Sequence, residues 1–112
     1  MPVHEMRFLR RYFDLVASGR KTVEVRVADA KRNAIAAGDT IRFRCAELRV
    51  DSEVTAVRRY RSFAELVDHE SFAALDPTTG RNEQLANLRR IYPPEREALG
   101  VVAIGVRVLS TS

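Results

Sequence analysis

The sequence has no tryptophan, one cysteine and two histidines in 112 residues. A lone Cys45 excludes an internal disulfide, and with only His4 and His69 beside it the chain offers little material for a zinc site. No apolar run approaches the roughly 20 residues that span a bilayer. The start, Met1-Pro2-Val3-His4-Glu5, lacks the charged opening and apolar middle of a signal peptide, so a reducing cytoplasm and no membrane partner are expected. Five glycines and four prolines leave no linker, and there is neither a repeat nor a low-complexity stretch, so residues 1–112 read as one domain. Lysine is also scarce. Only Lys21 and Lys31 stand against seventeen arginines in a basic total of 19.

What is present is a globular composition, 46% hydrophobic and 30% charged, with a net charge of +4. The positive excess favours polyanionic partners, and arginine suits bidentate contact with phosphate better than lysine does. A GC-rich coding sequence gives the same excess.

Periodicity divides the chain. Phe8, Tyr12, Leu15 and Val16 share one face of a helix over about 8–17, which Gly19 ends. Val23, Val25 and Val27 then alternate with Thr22, Glu24 and Arg26, predicting a strand with one wet face. Asp29 is a candidate N-cap for a short helical turn that stops at Gly38-Asp39. Ile41, Phe43 and Cys45 open a second strand, and Leu48, Val50, Ser52, Val54 and Ala56 form its antiparallel partner after a turn at Ala46-Glu47. That turn is too short for a parallel crossover.

Ser62-Phe63-Ala64-Glu65 is a capping box opening a helix that ends near Glu70, and Asp76 to Gly80 reads as a surface loop. A further helix covers about 81–91, with Leu85, Leu88 and Tyr92 on its apolar stripe and Pro93-Pro94 beyond it. Val101 to Leu109 is apolar at nearly every position, a last strand covered on both faces. Together these predict an α+β, mainly β fold, a small, largely antiparallel β-barrel with short flanking helices.

Gly19-Arg20-Lys21-Thr22-Val23-Glu24-Val25-Arg26 resembles the G-x-K-x-x-E-x-R signature of the ASCH family. The resemblance continues through Ala37-Gly38-Asp39-Thr40-Ile41 and Gly100-Val101-Val102-Ala103-Ile104, and the order of elements is similar throughout. It implies a PUA-like barrel, a cleft lined in part by the signature and a role in RNA-associated processes. Glu24 and Arg26 fall on one strand face about 6–7 Å apart. There Arg26 suits a phosphate or base edge and Glu24 an exocyclic amine or ribose hydroxyl. Lys21 supplies a mobile positive charge at the strand's start. The same spacing also fits a solvated charge ladder worth under about 1 kcal/mol per pair.

Arg58, Arg59 and Arg61 surround Tyr60, a pattern that fits base stacking between phosphate contacts and equally fits a barrel-end tyrosine in a solvated basic rim. Tyr12 and Tyr92 sit on core stripes, Arg10-Arg11 and Arg89-Arg90 on the wet backs of helices, and His4 and His69 read as surface or rim residues. The expected ligand is RNA, a nucleotide or a nucleoside, with no cofactor or metal.

A second reading is a small hydrolase. The family's amidohydrolase branch, which removes acyl groups from modified cytidine, uses a lysine, a hydroxyl nucleophile on the signature strand and a glutamate from elsewhere. Lys21 matches, but the hydroxyl position holds Glu24, and a carboxylate is a poor nucleophile for amides. Thr22 and Glu70 are the remaining candidates for nucleophile and acid or base. A metal-dependent ribonuclease would need carboxylates gathered by folding, since the sequence has no D-x-D or H-x-E grouping. A third reading is a protein-interaction adaptor, for which no dedicated apolar surface is legible.

Overall fold

Among the residues that the computed structural model describes, 2–111, five strands and six helices follow one another. They are β1 (Val3–Arg7), α1 (Arg10–Ala17), β2 (Val23–Val27), α2 (Ala30–Asn33), β3 (Thr40–Cys45), β4 (Leu48–Tyr60), α3 (Phe63–His69), α4 (Phe72–Leu75), α5 (Arg81–Ile91), α6 (Pro94–Glu97) and β5 (Val101–Thr111). The strands form one curled sheet in the order β1-β3-β4-β5-β2, with β1 parallel to β3 and every other pair antiparallel. The result is a half-barrel of α+β type in which helix and strand are about equally represented.

Local signals act where expected. Gly19 takes φ +78° after α1, Asp29 accepts from the Arg32 amide, and Ser62 accepts from the Glu65 amide. The reciprocal half of the Ser62 capping box goes one residue back, with Glu65 Oε1 accepting from the Arg61 amide. Ala46 adopts φ +53° in the β3–β4 turn, an unusual conformation for alanine.

Alternation along β5 supplies both halves of the core. Val102, Ile104 and Val106 join Phe13, Val16, Ile41, Phe43 and Val54 on one side. Val101 and Ala103 join the β2 valines, Phe63, Leu66 and Leu75 on the other. The last strand is thus buried from Val101 to Val106, with side chains covered on both faces, while Arg107 and Leu109 beyond are exposed.

Two expectations change. The first helix begins at Arg10 and is preceded by β1, in which only Met6 is buried and no apolar alternation exists to betray a strand. The loop from Asp76 to Gly80 keeps Thr78 and Gly80 at the surface but buries Asp76 and Thr79. The curled sheet's two edges, β1 and β2, do not pair and leave a seam. The site lies along that seam.

Candidate functional site

β2 pairs with β5 only, so alternate backbone groups of β2 face away from the sheet with no strand to meet them. Two signature side chains take that role. Lys21 Nζ donates to the Val23 carbonyl at 2.7 Å and to the Leu75 carbonyl at 2.6 Å, and Glu24 Oε1 accepts from the Val25 amide at 2.9 Å. The same Oε1 lies 3.5 Å from Lys21 Nζ, while Oε2 accepts from Nε and Nη2 of Arg26 at 3.0 and 2.9 Å.

Lys21 and Glu24 are 6% and 7% exposed, so the wet face expected for β2 does not exist at its centre. Burial works against ionisation of Glu24, but Lys21, Arg26 and the Val25 amide outweigh it and hold the carboxyl below its ordinary value. Burial likewise opposes the charge on Arg26, and Glu24 and the Tyr92 hydroxyl more than restore it.

These three side chains line a cleft of about 240 Å³ between the sheet seam and α5, walled by Phe8, Tyr12, Leu88 and Tyr92. The Arg26 guanidinium sits over the Phe8 ring, 5.6 Å from its centroid, and Phe8 stacks on Phe43. Leu9 and Ile91, both largely exposed, form an apolar rim. Tyr12 and Tyr92, expected in the core, are half-buried cleft walls.

The fourth side is the loop after α4. Arg11, expected on the wet back of α1, donates to Asp76 Oδ2 at 3.0 Å and to Thr78 Oγ1. Gln84 Nε2 donates to the carbonyls of Phe72, Asp76 and Thr79. That arrangement fixes the amide's orientation. Gln84 Oε1 and Thr79 Oγ1 remain buried without a hydrogen-bond partner, and both residues line the cleft. Neither was singled out by sequence, although Gln84 stands at i on a stripe whose i+4 and i+7 positions are Leu88 and Ile91.

The other sequence candidates lie elsewhere. Glu70 accepts from Arg58 at 2.7 and 2.8 Å and from the Tyr60 hydroxyl at 2.5 Å, and Tyr60 stacks on His69. Tyr60 packs against the core beside β2 and its hydroxyl is engaged, so it is a barrel-end tyrosine and not a free stacking platform. Arg59 binds Asn33, and the exposed Arg61 lies 3.6 Å from Glu65. None of Arg58, Arg59, Tyr60, Arg61 or Glu70 lines the cleft, and neither does the exposed Thr22. His4, expected at the surface, has a mostly buried ring whose Nε2 lies 2.9 Å from Asp39 Oδ2. Cys45 is half-buried and packs against the core cluster.

Among the described residues, no three of His, Cys, Asp and Glu gather at metal-binding distance, and no helix is long and apolar enough to cross a membrane.

The family model described as the ASCH domain matches residues 6–110. Among solved structures, the crystal structure of hypothetical protein PH0355 is 33% identical, with 96% of this chain and 99% of that one aligned at a TM-score of 0.86. The solution NMR structure of protein PF0455 from Pyrococcus furiosus is also 33% identical, covering 96% and 98% of the two chains at a TM-score of 0.77. No curated protein matches the sequence.

Proposed function

The chain belongs to the ASCH domain family, and from that premise we propose that it is an RNA- or nucleotide-binding module whose ligand places a base in the cleft between the sheet seam and α5. One observation carries the reading. Arg26 is held by Glu24 in a pocket walled by the rings of Phe8, Tyr12 and Tyr92 and by Leu88, with Asp76, Thr79, Gln84 and Asn87 adding polar groups on the loop side. A planar ring with polar edges matches that combination, stacking on apolar walls while its edge meets fixed charges. The pocket is smaller than the roughly 300–1,000 Å³ typical of drug-sized ligands, so it suits one ring system and no more.

Binding is favoured over hydrolysis by the same geometry. The donors of Lys21 go to two carbonyls and a carboxylate, so nothing of it is left to take a proton from a nucleophile. Thr22 is exposed outside the cleft, and Glu70 is engaged by Arg58 and Tyr60.

Fluorescence anisotropy with a short single-stranded RNA at several salt concentrations tests the proposal. Affinity is expected to fall as salt rises. Arg26→Ala should weaken it at least tenfold, and Arg107→Ala, an exposed β5 position paired with Glu53, should leave it unchanged. Ile91→Glu sets a carboxylate on the exposed rim without disturbing the core and should also weaken binding. Binding that ignores salt, or that is as strong in Arg26→Ala and Ile91→Glu as in the parent, overturns the proposal.

A further inference from the structure

A second concavity of about 770 Å³ adjoins the cleft and shares Arg7, Phe8 and Arg26 with it. Five cations line it: Arg7, Arg26, Lys31, Arg32 and Arg44. Its single carboxylate, Glu5, already accepts from Arg44 Nε at 2.8 Å. Nearby Asp29 is committed as well, to the Arg32 backbone amide and to Arg96. Arg26 spends Nε and Nη2 on Glu24. Among the described residues, the side chains of Arg7, Lys31 and Arg32 make no hydrogen bond or ion pair.

Five cations in one groove outnumber the carboxylates near them, Glu5, Glu24 and Asp29, and their mutual repulsion is costly unless an anion completes the site, whereas surface arginines elsewhere in this chain are mostly paired with carboxylates. We propose that this groove is a phosphate subsite continuous with the cleft, so that the preferred ligand is a nucleotide, free or within a strand, and a nucleoside binds poorly. This rests on the reading of the cleft as a base pocket. Guanidinium forks match phosphate oxygens bidentately, and Arg26, standing in both cavities, joins the two halves of one ligand. Burial and the neighbouring charge of Arg26 push Arg32 below its ordinary value, whereas Arg26, Arg42 and Arg58 are raised by their carboxylate partners. An anion in the groove relieves that repulsion.

NMR titrations of the full chain separate the two readings. Backbone amides of residues 24–26 report on the cleft, and arginine side-chain Nε–H signals report on the groove. The probes are the four ribonucleosides, their 3′- and 5′-monophosphates, unphosphorylated dinucleotides that carry only an internal phosphodiester, and inorganic pyrophosphate. Monophosphates are expected to bind at least tenfold more tightly than the parent nucleosides. Lys31→Ala, and independently Arg32→Ala, both outside the cleft, should shrink that ratio while leaving nucleoside affinity unchanged. Dinucleotides matching the monophosphates identify an internal phosphate as the occupant, and dinucleotides binding like nucleosides identify a terminal one; either supports the subsite. Pyrophosphate moving the Arg32 signal while no nucleoside reaches residues 24–26 keeps the groove and removes the base pocket. Nucleosides and monophosphates binding alike, or a ratio that survives both substitutions, overturns the groove and leaves the base pocket standing.

Discussion

Lys21 Nζ lies 3.5 Å from Glu24 Oε1 at the unpaired edge of the sheet, with both side chains almost fully buried. A buried ion pair of this kind contributes little net stability, yet removing one member leaves the other charge uncompensated. Glu24→Gln keeps the side chain's shape and strands two cations, so it should lower unfolding free energy by about 3 kcal/mol. Lys21→Met also abandons the carbonyls of Val23 and Leu75 and should cost at least as much. Because both substitutions break one contact, the double variant should fall short of their sum by at least about 1 kcal/mol in urea denaturation. Simple additivity would show that the two groups are not coupled.

Acid should expose the same network. Glu24, Asp51 and Glu70 all have carboxyl groups held below their ordinary values in the folded chain, the latter two chiefly through hydrogen bonds from Arg42 and Arg58. A carboxyl with a depressed folded value binds its proton more readily when unfolded, so its contribution is complete above the unfolded value and is lost as pH falls through the folded one. Stability should therefore hold from neutrality to about pH 5, then decline below the unfolded glutamate value of 4.5. In Glu24→Gln the acid decline should be shallower by that one group. An acid limb as steep as the parent's would place the responsible carboxyl elsewhere.

The helix at 81–91, the β3–β4 hairpin, the Ser62 cap and the last strand, buried over its first six residues, were legible because each depends on neighbours within a few residues. β1 was not, since Val3-His4-Glu5-Met6-Arg7 buries one residue and its parallel pairing with β3 is made across more than thirty intervening positions. The signature residues could be named from sequence, but their burial could not. Alternation on β2 gives the face a side chain takes, and only the open sheet edge determines that Lys21 and Glu24 turn to the backbone there. Arg7 ends β1 while Lys31 and Arg32 are neighbours on α2, so the convergence of the two elements in one groove is purely tertiary. The Arg-Arg-Tyr-Arg run fitted two readings for the converse reason, because Glu70, twelve residues from Arg58, engages both that arginine and Tyr60.

Tyr60 distinguishes the two uses of that run. Burial raises its phenol above the ordinary value of 10.0, and the hydrogen bond to the Glu70 carboxylate adds to the shift. A group raised on folding stabilises below its unfolded value and loses that contribution as pH climbs through the folded one. Phenolate absorbance should accordingly show one tyrosine ionising late in an alkaline titration, and that late step should vanish in Tyr60→Phe. The substitution should cost about 1–2 kcal/mol of stability, a hydrogen bond to a charged acceptor, and leave RNA affinity unchanged. A loss of RNA affinity in Tyr60→Phe, with stability intact, would return Tyr60 to the ligand surface.

Gln84 ties helix α5 to the loop that floors the cleft, its amide nitrogen serving the carbonyls of Phe72, Asp76 and Thr79 at 2.8, 3.0 and 3.3 Å. Its two N–H bonds meet three acceptors, so one bond is shared, and no rotation of the amide satisfies Oε1 without abandoning the loop. Gln84→Ala leaves those carbonyls unserved and should cost about 2–3 kcal/mol. Gln84→Glu, nearly identical in shape, replaces the donors with a carboxylate facing carbonyl oxygens and should be no better at neutral pH. In both variants hydrogen exchange should quicken across 72–80, where Arg11 and Lys21 would be the remaining side-chain clamps, and stay unchanged in the β3–β4 hairpin. Lys21 donates to Leu75 from the same loop, so the loosening should reach the ion-pair network and lower RNA affinity without removing any charge from the cleft. Unaltered exchange across 72–80 in Gln84→Ala would mean that the segment is held by Arg11, Lys21 and its own Asp76 turn, and the cleft floor would then be independent of α5.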